Sequence, residues 1–182
     1  MARPTSATIH TDALRHNLSQ VRALAPRSRV MAVVKADGYG HGLERVARAL
    51  QGADAFGVAA LSDAERLRAA GLSQPIVLLS GFDAVDDLPQ LRRLNVETVV
   101  HHATQLAMLE QAPDGEPIRC WLKVDSGMHR LGFAPDAVRD AHARLQAMAS
   151  VADDIVLMNH FASSDEFADA PGNGAQTRAQ KR

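Results

Sequence analysis

A lysine follows an uninterrupted apolar run in the segment AVVKADGYGHG, residues 32–42. In parallel α/β folds the chemistry collects where strands end, so the residues just past each apolar run are the ones to inspect. Placed there, Lys35 sits at the rim of a core, where desolvation lowers an amine's pKa toward the range needed for a Schiff base or a proton acceptor. Gly38, Gly40 and Gly42 permit a tight turn whose backbone N–H groups can approach an anion, and Tyr39 adds a directed hydroxyl. The competing reading is a surface lysine in a turn. The spacing G-x-G-x-G matches neither the dinucleotide fingerprint nor the phosphate-loop pattern, so a nucleotide site is not supported.

Two further polar clusters follow apolar runs. In KVDSGMHRLG, residues 123–132, the spacing brings Lys123, Asp125 and Arg130 to the same rim. Arg130 could offer a fork of hydrogen bonds to a phenolate or carboxylate, or it could pair with Asp125. The third cluster, NHFASSDE at 159–166, carries His160, which is either structural or a rim residue shared with Lys35. His101 and His102 end another apolar run, but adjacent strand residues point to opposite faces, which argues against a joint metal site. Cys120, in IRCWLKV, reads as a small core residue.

These clusters need a scaffold, and the pattern supplies one. Short Val- and Ile-rich runs alternate with stretches of helical period, which is the signature of βα units around a parallel sheet. Residues 7–9 form a short extended piece, and Asp12 is the expected N-cap of a helix to 24 with Leu14, Leu18, Val21 and Leu24 on one face. Residues 30–34 (VMAVV) lack polar alternation and read as a fully buried strand. Further strands are expected at 56–60, 76–79, 97–100, 118–124 and 155–158. The helices between them are expected at 43–50, from Ser62 as N-cap with Glu65 completing a capping box to Gly71, and at 85–94, 103–111 and 136–148. Six parallel strands fit an open doubly wound sheet or most of an eight-stranded barrel, and periodicity alone does not choose.

The 182 residues are 46% hydrophobic and 23% charged, the composition of a soluble globular protein with a real core. Twenty Lys+Arg balance 21 Asp+Glu, which argues against nucleic acid or an anionic membrane as the main partner. A single cysteine excludes an internal disulfide framework and fits a reducing, cytoplasmic setting, and no run approaches membrane-spanning length. No shift in composition divides the chain, so residues 1–166 read as one α/β unit, and the polar stretch 167–182 as a disordered tail.

AVVKADGYGHG, LKVDSGMHRLGF and MNHFASSDE occur in the order and spacing of three segments of the bacterial alanine racemases, and the chain resembles that family from Arg3 to about Glu166. The resemblance implies a TIM-type (β/α)8 barrel, here with about six of eight strands and without the family's C-terminal β domain. It implies pyridoxal 5'-phosphate as cofactor, alanine as substrate and a homodimer, the last doubtful for so short a chain. Lys35 falls on the lysine that carries the cofactor and serves as one catalytic base. Tyr39 falls on a contact to the cofactor phosphate, Arg130 on a donor to its phenolic oxygen, and His160 beside its ring. Lys123 falls on a lysine that some members carry as a carbamate. Racemisation needs a second base, which in the family is a partner-subunit tyrosine, whereas the one tyrosine in this sequence is Tyr39. The expectation is a truncated alanine racemase with impaired or no activity, the alternatives being a non-catalytic pyridoxal-phosphate-binding or homeostasis protein and an inert fragment.

Overall fold

The computed structural model describes residues 5–164. Its contacts group into two compact units, Met1–Ser80 with Leu94–Val96 and Gly81–Arg93 with Glu97–Arg182. Each is taken by itself.

In the first unit the elements run α1 (Thr11–Leu24), β1 (Met31–Val33), a short turn α2 (Lys35–Tyr39), α3 (Leu43–Ala49), β2 (Ala55–Val58), α4 (Leu61–Ala69) and β3 (Ile76–Leu78). The strands pair in parallel and in chain order, with Ala32 opposite Phe56 and Gly57 opposite Val77. Leu43, Phe56, Leu67 and Ile76 are fully buried between sheet and helices. Burying such side chains contributes about 1.5–3 kcal/mol each, which is what holds the layers together. Arg68, on α4, donates to the carbonyls of Leu72, Gln74, Leu94 and Asn95 at 2.8–2.9 Å, tying residues 94–96 to this unit.

Several local expectations are corrected here. Residues 7–9, expected as a short extended piece, pair with no strand among the described residues. Residues 30–34 are not a fully buried strand: Met31 and Ala32 are half-buried, and Val33 is 38% exposed. β1 is paired to β2 alone among the described residues, and Val33 lies opposite Gly57, which has no side chain to cover it. The Cβ that Gly57 lacks would lie 3.0 Å from Leu79 and 3.1 Å from Met31, so that space is already used. Asp12 is not an N-cap. α1 starts at Thr11 after His10, and the Asp12 carboxylate pairs with Arg15 at 2.5 Å. Nor does Ser62 cap α4, which starts one residue earlier, after an extended Ala60, with no side-chain cap. Gly71 does end α4, with φ +79°. On α1, Leu14 and Leu18 are half-buried and Val21 and Leu24 exposed, so the apolar stripe is only partly covered.

The second unit holds a 3-10 turn (Val85–Asp87), α5 (Leu88–Leu94, its last residue grouped with the first unit), β4 (Val96–Val100, its first residue likewise grouped with the first unit), α6 (Ala103–Glu110), β5 (Cys120–Lys123), α7 (Val138–Gln146) and β6 (Val156–Met158). Its strands are also parallel and consecutive, with Thr98 opposite Cys120 and Trp121 opposite Val156. Alternation puts Thr98, Cys120 and Leu122 on one face, and Glu97, Val99, Trp121 and Lys123 on the other. Phe82, Leu88, Leu91, Leu106, Leu122 and Leu145 form the core. β6 repeats the behaviour of β1. It pairs with one neighbour among the described residues, and its Leu157 is 61% exposed. The expected tail at 167–182, and a capping role for Asp165 and Glu166, lie outside the described residues.

Candidate active site

The chain leaves β1 through a left-handed turn. Ala36, Asp37 and Tyr39 have φ of +52°, +54° and +55°, and Gly38 and Gly40 have +62° and +80°. Left-handed backbone costs about 1–2 kcal/mol per non-glycine residue, and runs of it are rare. Local bonds hold this one. The Gly38 N–H donates to Val34 O at 2.9 Å, Gly40 N–H to Ala36 O at 3.0 Å and Gly42 N–H to Asp37 O at 2.8 Å. His41 Nδ1 stands 2.9 Å from Tyr39 O, which requires the proton on Nδ1. Lys35, half-buried, opens the turn, and Tyr39, 59% exposed, closes it. One turn of backbone therefore carries a primary amine and a phenol.

Asp37 ties the turn to α3 and α4. Its Oδ1 accepts the Leu43 N–H at 3.0 Å, at the start of α3, and also Arg66 Nη2 of α4 at 3.0 Å. These bonds, the Leu43 N–H first and Arg66 next, hold the Asp37 carboxyl below the ordinary carboxylate range. Arg66 bonds Glu44 as a fork, at 2.8 and 2.9 Å, and lies 3.7 Å from Asp63. Sequence reasoning did not find Arg66. It sits 29 residues from Asp37, and no local pattern links the two.

In the second unit, Lys123 ends β5 and is 8% exposed. Burial first, then the charge of Arg130, pushes its amine below the ordinary lysine value, with Asp125 opposing. After β5 the chain closes on itself: Asp125 N–H donates to Phe133 O at 2.8 Å and Phe133 N–H to Lys123 O at 2.9 Å. Gly132, at φ +125°, makes this return possible, since a Cβ there would lie 2.6 Å from the Asp125 nitrogen. Asp125 Oδ1 accepts the N–H groups of His129 at 2.9 Å and Gly127 at 3.0 Å, which hold its carboxyl low. Asp125 also faces His129 Nδ1 at 3.4 Å, and among the described residues no ion pair joins it to Arg130. That removes the salt-bridge alternative, and leaves the guanidinium exposed on the loop. His160 follows β6, also exposed.

Several polar residues around β4 and β5 make structural contacts. The His102 ring nitrogen Nδ1 accepts the Thr104 N–H at 3.3 Å and caps α6. Gln105, buried, accepts the His101 N–H at 2.8 Å and donates to Phe82 O at 3.0 Å. On the Lys123 face of the sheet, Trp121 Nε1 donates to Glu97 at 2.6 Å, and Glu97 faces Arg119 at 3.3 Å. Cys120 is buried and its thiol is pushed up to about 12, so it is an inert core residue, as its sequence context suggested.

The chain matches the family described as alanine racemase, N-terminal domain, over residues 9–181. It is 54% identical over 160 residues to an alanine racemase of Shewanella baltica (strain OS185), covering 88% of this chain and 45% of that protein. It is 51% identical over 165 residues to one of Vibrio cholerae, covering 91% and 46%. The crystal structure of the biosynthetic alanine racemase from Pseudomonas aeruginosa superposes with a TM-score of 0.85 at 39% identity, covering 93% of this chain and 46% of that one. The E. faecalis alanine racemase gives 0.83 at 32% identity, covering 94% and 46%. The chain spans about half the length of the curated relatives it matches. With a family match across nearly all its length and this structural agreement, the chain belongs to the alanine racemase N-terminal domain family and carries the N-terminal portion of its α/β barrel.

Proposed function

We propose that this chain takes part in pyridoxal-phosphate-dependent interconversion of L- and D-alanine, with Lys35 as the cofactor lysine and one catalytic base. The observation that carries the reading is the placement of Lys35: a half-buried primary amine at the end of β1, opening a turn held rigid by backbone and side-chain bonds. The donor set fits the group. An amine suits an aldehyde, and the exposed Tyr39 hydroxyl suits a phosphate oxygen.

When bound, pyridoxal phosphate supplies a conjugated ring that delocalises the charge left as an amino acid's α-proton departs. Lys35 Nζ would hold the cofactor at its aldehyde, and as a free amine it would accept the α-proton or return it on its own face of Cα. Tyr39 would orient the phosphate from the far end of the same turn. Arg130 would donate to the cofactor's phenolic oxygen, Lys123 would orient Arg130, as a carbamate once its neutral amine has added carbon dioxide and lost a proton, and His160 would tune the hydrogen bonds beside the ring. The Lys123 amine is pushed toward its neutral form, the form that reacts with carbon dioxide, which supports this assignment.

A second reading is favoured by one observation: the sequence holds a single tyrosine, already placed on the Lys35 turn, so this chain offers no other phenol as the opposite-face base. On that reading the chain binds the cofactor without turnover. Incubation with pyridoxal phosphate, borohydride trapping and peptide mapping, run beside an alanine racemisation assay, separates the two. A Lys35 adduct with turnover that Lys35→Ala abolishes supports the racemase; an adduct without turnover supports the binder. A folded chain that gives no adduct on Lys35 overturns both.

A further inference from the structure

We infer that Arg66 is a positioning residue for Lys35, acting through Asp37 to keep the left-handed turn wound. The inference rests on the proposed role of Lys35 as the cofactor lysine. Three groups converge on Asp37, in the middle of the turn. Its carbonyl accepts the Gly42 N–H at 2.8 Å, and its Oδ1 accepts the Leu43 N–H and Arg66 Nη2, both at 3.0 Å. The bond that spans Lys35 itself, Gly38 N–H to Val34 O at 2.9 Å, encloses the left-handed residues 36 and 37, so it depends on their staying wound. Unwinding at Asp37 therefore redirects the Lys35 side chain.

Arg66 suits this task because its guanidinium is itself fixed. The fork to Glu44 orients its plane, and Nη2 reaches Asp37 while still bonded to Glu44 Oε2. Glu44 lies on α3 and Arg66 on α4, so one cation joins the turn to both helices. A surface ion pair taken singly is weak. Here the pairs form a network whose geometry is set by a planar donor, and lysine reproduces the charge but not the fork.

The sequence's lysines are Lys35, Lys123 and Lys181, so labelling carries its own internal control. The full chain and its Arg66→Met and Arg66→Lys variants are treated with pyridoxal phosphate, trapped with borohydride over time and mapped, with amide exchange at Gly42 and Leu43 followed in parallel. Arg66→Met is expected to slow the Lys35 adduct at least fivefold, leave the Lys123 rate and the melting temperature unchanged, and speed Leu43 exchange. Arg66→Lys is expected to recover part of the Lys35 rate. Salt at 1 M should slow Lys35 labelling in the unaltered chain but not in Arg66→Met. Equal Lys35 rates with unchanged Leu43 exchange overturn the inference, and so does a loss at Lys35 matched by an equal loss at Lys123. If the unaltered chain gives no Lys35 adduct, the cofactor assignment fails. The hold on the turn is then decided by Leu43 exchange alone, acceleration upholding it and no change overturning it.

Discussion

After β1 the chain reverses through five consecutive left-handed residues, three of which carry side chains, whereas after β5 it returns through a loop in which Gly132 makes the close approach. Both segments place an aspartate where it collects backbone N–H groups. Asp37 adds a guanidinium from another helix; Asp125 is satisfied mainly from within its own loop. The first segment thus adds to its local bonds a hold from outside, through Arg66, whereas the second is held by bonds within its own loop. A turn with an outside partner can be loosened from a distance, while one whose close approach needs Gly132 is most sensitive at that glycine.

The largest effect that would test this difference is in the glycines. Gly132→Ala puts a Cβ against backbone atoms, 2.6 Å from the Asp125 nitrogen, at a φ of +125° that side chains rarely adopt. It is expected to cost about 3 kcal/mol or more in denaturant unfolding. Gly38→Ala meets Val46 Cγ2 at 2.8 Å, a side-chain atom, at a φ its non-glycine neighbours already share. It is expected to cost about 1–2 kcal/mol, partly recovered by Val46→Ala. Equal costs at the two sites would erase the distinction.

Acid titration followed by carboxyl NMR sharpens the comparison at a smaller scale. Both aspartates have folded pKa values below their unfolded ones. Each therefore stabilises the fold above the unfolded value, about 3.9, and loses that contribution as pH falls through the folded value. Asp37 owes part of its shift to Arg66, so 1 M salt should raise its pKa more than that of Asp125, whose leading causes are backbone N–H groups. The reverse order would show that the Asp37 turn does not depend on the ion network. Smallest of all, His129→Ala removes an 83%-exposed ring from Asp125 and should change stability by less than about 0.5 kcal/mol. It should also raise the Asp125 pKa slightly.

The strands were the most legible part of the chain, because Val- and Ile-rich runs such as 76–79 and 97–100 have no other plausible use. Burial was less so. The apolar run 30–34 could not reveal that β1 pairs with a single neighbour across a glycine, since that depends on residues 20 or more positions away. Helix starts misled for a related reason: Asp12 and Ser62 are good capping residues, but each lies one or two positions inside its helix, where Asp12 takes Arg15 instead. The Lys35 segment declared itself by motif, and three glycines hinted at an unusual backbone. What the motif could not show was that Ala36, Asp37 and Tyr39 share that conformation, or that an arginine on α4 reaches back to hold it.

The handedness of the Lys35 turn has a stereochemical consequence. Its φ and ψ values, near +52° and +52° at Ala36, are the mirror image of an ordinary right-handed helix. At that position a D-residue would be relaxed and an L-residue is strained, with glycine the achiral compromise. A chemically synthesised chain bearing D-alanine at position 36 should therefore fold with this turn more firmly wound than the ribosomal product.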